Sequence, residues 1–207
     1  MKALTTPLDN FLVTDIHLNT DKDFMIPVIF TNYRIAIRGD FGIYYLGHAG
    51  VLLIDGKTGQ ARYYEYGRYN DPKAVTPGIV RGEIQQAVEL DNGMITESSF
   101  KTLLRNISQK HGQSGNIAGV VMRGYFYEDA LDWINTKRRE NHKSDKKPYN
   151  LLNHNCMTFV IDLAEHLGLD TQWRPPIVMP TLYAEQFQLQ YTDLDYDFKN
   201  DILEVPE

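Results

Sequence analysis

Cysteine is nearly missing from this chain: among 207 residues only Cys156 carries a thiol. That excludes an intramolecular disulfide framework and leaves packing or reactivity as the value of the sulfur. Positive charge is also in short supply. With a formal net charge of −6, the chain lacks the basic footprint that nucleic-acid binding requires. Long apolar runs are absent as well. No stretch approaches the length that spans a bilayer, and the segment from Met1 to Pro7 lacks the apolar core and small-residue cleavage site of a secretory signal. The expectation is synthesis in the cytoplasm without a signal peptide and without stable membrane insertion.

Metal-binding patterns are missing too. The six histidines do not fall at the His-Glu-x-x-His spacing that puts two imidazoles on one helix face. The alternating Asp193, Asp195 and Asp197 lack the glycine and terminal glutamate of a calcium loop. No metal and no organic cofactor is expected.

What is present suits one folded unit. A 207-residue chain with 43% hydrophobic and 23% charged residues can bury one substantial core and is short for two. The reading is a single domain over 1–207, with an acidic, solvated or mobile tail from about Tyr191. Phe24 to Ile37 holds two strand-like runs, and Pro27 marks a strand start or an edge. Ile79 to Leu90 reads as a strand or a short helix. Thr96 caps a helix whose Phe100, Leu103, Leu104 and Ile107 share a face, ending near Gly112. A β-branched run follows at Ile117 to Met122, then a helix over Tyr127 to Asn141. The basic stretch from Lys137 to Lys147 reads as a solvated helix end and loop.

Cys156 opens a further helix. Phe159, Val160, Leu163 and Leu167 recur at helical spacing after it, and Gly168 supplies a stop. Asn153 or Asn155 can cap the first turn. A thiol at a helix N-terminus is favoured as thiolate, which is the nucleophilic form. The competing reading is a buried, inert cysteine acting as a small apolar filler.

A histidine far upstream shifts that balance. His48-Ala-Gly-Val-Leu-Leu-Ile-Asp55 and Gln60-Ala-Arg-Tyr-Tyr-Glu-Tyr-Gly67 flank a glycine-containing loop, which is a hairpin signal. Pairing symmetric about Lys57 and Thr58 sets Gly50 opposite Glu65, so Glu65 becomes a diagonal neighbour of His48 on one face. A carboxylate there can hold one imidazole nitrogen and leave the other to act on a thiol, giving nucleophile, base and orienting acid in Cys156, His48 and Glu65. A one-residue slip would turn Glu65 to the other face.

Gly47-His48-Ala49-Gly50-Val51, Tyr64-Glu65-Tyr66-Gly67-Arg68-Tyr69 and Asn155-Cys156-Met157-Thr158-Phe159, with the histidine hairpin ahead of the cysteine helix, resemble the circularly permuted papain-like fold of the NlpC-type superfamily. That superfamily also includes lecithin retinol acyltransferase relatives. Within it the segments look like those of bacterial peptidoglycan hydrolases delivered as type VI secretion effectors. The resemblance implies an α+β protein, with an antiparallel sheet packed against helices that include one with cysteine at its N-terminus. It further implies cleavage of a peptidoglycan amide in the periplasm of a target cell, a cognate immunity protein, and a secretion-machine contact.

Tyr63, which shares the face of Glu65 in this register, is a candidate for substrate contact, as are His154 and Asn155 beside the nucleophile. Two other classes compete. One is a papain-like acyltransferase or thioesterase with a lipid or acyl substrate, which calls for a greasy channel. The other is a non-catalytic binding module with a buried thiol.

Overall fold

Two apolar runs form the centre of the sheet because each is flanked by further strands and buried on both faces. In the computed structural model, which describes residues 16–36, 43–69, 71–171 and 173–206, they become β1 (Asp23–Phe30) and β4 (His48–Ile54), paired antiparallel. Between them β2 (Arg34–Ala36) and β3 (Ile43–Tyr45) form a small separate ribbon. Beyond β4 lie β5 (Gln60–Gly67) and β6 (Ile79–Ala87), and beyond β1 lie β9 (Ile117–Gly124), β10 (Thr192–Asp197) and β11 (Ile202–Glu204). The seven-stranded order is β11-β10-β9-β1-β4-β5-β6, antiparallel throughout. β7 (Leu90–Asp91) and β8 (Met94–Ile95) pair as a minor hairpin leading into α1 (Glu97–His111). Ile37 and the amino-terminal stretch lie outside the described residues.

Alternation along the strands divides the core into two layers. Met25, Ile29, Ala49, Val51, Leu53, Tyr64 and Tyr66 face α2 (Tyr127–Glu140), α3 (Cys156–His166) and α4 (Pro180–Gln188). Phe24, Ile26, Val28, Phe30, Leu52, Ile54 and Tyr63 face α1, whose Phe100, Leu103, Leu104 and Ile107 form the expected buried stripe. The architecture is therefore α+β, with helices on both sides of an antiparallel sheet. Among the described residues no helix is long and apolar enough to cross a membrane.

Two expectations change, and one open alternative is resolved. Pro27 is at neither a strand start nor an edge; it lies inside β1, between β4 and β9. Its missing N–H is accommodated because the β9 ladder skips Ile26 and Pro27, and Gly119 nearby has no side chain: a Cβ there would stand 2.6 Å from the Pro27 carbonyl oxygen. The stretch from Ile79 is a strand, β6. The acidic carboxy-terminal segment forms β10 and β11, where Leu194, Tyr196 and Leu203 are buried while Asp195 is exposed. Its alternating aspartates are the outward half of a strand repeat.

Candidate active site

Asn155 holds the start of α3 from both sides. Its Oδ1 accepts from the Met157 and Thr158 amides at 3.0 and 3.1 Å, while Thr158 Oγ1 accepts from the Asn155 amide at 2.9 Å, completing a capping box. Its Nδ2 donates to the carbonyls of Leu151 and Val178, both at 2.7 Å. Asn155 is buried with its side-chain oxygen and nitrogen both engaged, so it serves as a cap, and it lines the cavity beside Cys156. Cys156 follows as the first helical residue, with 3% of its surface exposed.

His48 and Glu65 come from the hairpin, whose register is the one read from the sequence: Gly50 pairs with Glu65. His48 starts β4 and stacks against Phe30 and Tyr33. Its Nε2 lies 2.8 Å from Glu65 Oε2 and 3.2 Å from the Tyr69 hydroxyl. A carboxylate only accepts, so Nε2 carries the proton toward Glu65 and Nδ1 is left for the thiol. Burial pushes the His48 pKa down, but the negative charge of Cys156, a hydrogen bond with Cys156 and the contact with Glu65 outweigh it. The group is pushed up to about 10.

Glu65 is the hub. His111 Nδ1 lies 2.9 Å from Oε1 and Arg81 Nε donates to the same oxygen at 2.6 Å, while the Tyr63 hydroxyl donates to Oε2 at 3.1 Å. Burial alone would raise this carboxyl. The hydrogen bonds from His111 and His48 dominate and hold it well below the usual carboxylate range. The sequence makes Tyr63 a candidate for substrate contact. It shares the face of Glu65 but is completely buried, so it positions the carboxylate instead. It fits because residue 50 is glycine: a Cβ at Gly50 would come within 2.2 Å of the Tyr63 hydroxyl.

His111, Arg81 and Tyr69 were missed by the sequence reading. His111 extends the α1 stripe by one step of four from Ile107, which is the signal that could have exposed it. Its side chain is fully buried against Tyr63, and its Nε2 makes no hydrogen bond among the described residues. Arg81 pairs across the sheet with Glu65 and stacks on the Tyr69 ring at 3.5 Å.

His154 lies off the nucleophile's cavity. Its Nδ1 is 2.8 Å from the Pro148 carbonyl oxygen and its ring packs on Tyr66, lining a separate open cleft of ≈ 290 Å³ with Trp133 and Lys137. Cys156 itself borders a smaller cavity of ≈ 80 Å³ between the β3–β4 turn, the loop before α3 and the start of α4. Among the described residues, no group of three or more His, Cys, Asp or Glu side chains is arranged to hold a metal ion.

The α+β fold thus carries a thiol at a capped helix start, a buried imidazole and a carboxylate hydrogen-bonded to that imidazole. The family model of TseH-like type VI secretion system effectors matches residues 25–168, a span that contains Cys156, His48 and Glu65, and the chain belongs to that family. A crystal structure of the type VI secretion system effector TseH is 51% identical, with a TM-score of 0.85, over 90% of this chain and 99% of that one. No match is found among curated proteins.

Proposed function

We propose that this effector is a cysteine hydrolase of the permuted papain-like, NlpC type that cleaves an amide bond of bacterial peptidoglycan in the periplasm of a target cell. The carrying observation is the His48 ring, tied through Nε2 to Glu65 at 2.8 Å while its protonated form is favoured by Cys156. His48 takes the Cys156 proton, and the thiolate attacks the amide carbonyl. Asn155 already occupies the Met157 and Thr158 amides. The Cys156 amide therefore remains at the helix start to meet the oxyanion. His48 then protonates the departing amine as the C–N bond breaks, leaving a thioester. Water, giving its proton to His48, cleaves the thioester, releasing a carboxylic acid and restoring the thiol.

Capture of the same thioester by an alcohol or amine would make an acyltransferase. A cavity of ≈ 80 Å³ beside Cys156 is too small for a fatty acyl chain, which favours hydrolysis of a peptide-like amide. A walled producer of such an enzyme calls for an immunity protein over the cleft, and delivery calls for a contact with the secretion machine.

The test is digestion of purified peptidoglycan by the wild type, Cys156→Ala and His48→Ala, with products weighed by mass spectrometry. Soluble fragments are expected from the wild type alone, with a rate loss on the order of 10⁴ or more in either variant. Fragments that persist in both variants would remove this site from the chemistry.

A further inference from the structure

The cavity beside Cys156 carries more information than its size. Ile35, Leu46, Leu151, Val178, Met179 and Pro180 contribute to its wall, and no charged side chain lines it among the described residues. Its polar contributors are Tyr149, Asn155 and Cys156 itself. Asn155 has both side-chain atoms committed to backbone groups. Tyr149 is kept in its neutral, protonated form by burial and by the charge of Cys156 beside it.

From these walls we infer that the cavity is a specificity subsite: it takes the small apolar side chain of the residue whose carbonyl Cys156 attacks. The acyl partner is then an apolar residue of alanyl to leucyl size, and one bearing a carboxylate next to the scissile carbonyl is rejected. This rests on the hydrolase reading of the same site.

The physical argument has two parts. A volume of ≈ 80 Å³ holds roughly half a dozen water-sized probes. That is room for an apolar side chain of alanyl to leucyl size packed against Val178 and Met179. A carboxylate entering the same space would lose its hydration with no cation among the described lining residues to replace it; Lys137 and Lys147 line the other cleft. Hydrophobic pockets discriminate by roughly 10- to 200-fold per methylene, and an unpaired charge is penalised more steeply.

Irreversible labels read the cavity without needing the correct wall bond. The probes are N-acylated amino-acid fluoromethyl ketones carrying alanine, leucine or aspartate, in which the Cys156 sulfur displaces fluoride and forms a C–S bond. The second-order labelling rate of the full chain is followed by intact mass. The alanyl probe is expected to exceed the aspartyl probe by about 100-fold or more. Leu152 lines the same cavity and is 51% exposed, so Leu152→Arg keeps the fold while adding a cation at the rim. It is expected to raise the ratio of aspartyl to alanyl labelling at least about tenfold. Val178→Ala is expected to shift preference from the alanyl toward the leucyl probe.

Equal alanyl and aspartyl rates, or no labelling of folded wild type, overturn the subsite. Unselective labelling with Cys156-dependent wall digestion removes the subsite and keeps the hydrolase. Alanine-selective labelling without wall digestion keeps the subsite and removes peptidoglycan as the substrate.

Discussion

The two sides of the central sheet hold their halves of the site in different ways. On the α3 side, Cys156 depends on one residue: Asn155 caps the helix and ties it to Leu151 and Val178. Among the described residues the other helices start without a side-chain cap; Thr96 stands at the N-cap of α1 as expected but makes no capping hydrogen bond. On the α1 side, His48 is aimed by a carboxylate that four elements share: β4 through His48, β5 through Tyr63, β6 through Arg81 and α1 through His111. The halves meet where β4 begins. Cys156 is held locally and His48 is held cooperatively, so damage should stay contained on one side and spread on the other.

Stability measurements are the strongest way to break that contrast. Glu65→Ala removes the carboxylate that two buried histidines share and is expected to cost about 3–5 kcal/mol in urea unfolding. Asn155→Ala is expected to cost about 2 kcal/mol, as a lost cap with unpaired carbonyls. Equal costs would erase the asymmetry.

Titration sharpens it next. His48 is raised from 6.5 to about 10, so the stability it contributes is fully present below about pH 6.5 and is lost as pH rises through about 10. Glu65 is lowered, so its contribution is present above the ordinary carboxylate range and is lost as pH falls below it. Cys156→Ala removes one of the groups holding the proton on His48. The imidazole resonance should then titrate at lower pH by NMR, and an unmoved midpoint would mean that sulfur and imidazole do not communicate.

His111→Asn keeps a donor near Glu65 Oε1 but loses the ring packed on Tyr63. A roughly tenfold fall in kcat with little change in KM is expected. The alkaline limb of the pH–rate profile should move down, because His48 is then less firmly paired. A purely structural role would lower the melting temperature and leave that limb where it was. The smallest effect belongs to Tyr63→Phe, which removes one hydrogen bond at a cost of about 1 kcal/mol and a few-fold in rate.

The same contrast explains what could be read from the chain. The capped helix, the hairpin register and the α1 stripe are local patterns, each spelled within about twenty residues, and the structure has all three. Glu65's supporters are not local: Arg81 arrives through strand pairing across an irregular register between Tyr63 and Glu65, and His111 through docking of a helix onto the sheet. Tyr63 was placed on the correct face, but its burial depends on α1, which no hairpin pattern contains. The acidic carboxy-terminal run read as solvated because charge was weighed above period; its two-residue alternation was the better guide.

Gly50 gives the hairpin sequence a further meaning. The Tyr63 phenol occupies the volume that a side chain at position 50 would need, with its hydroxyl 2.2 Å from where that Cβ would sit. The glycine after His48-Ala49 is thus the imprint of a ring from the neighbouring strand, in a straight stretch of backbone that turns nowhere. Even an alanine at that position would evict the phenol from its carboxylate, so a methyl group well away from the sulfur would be felt there.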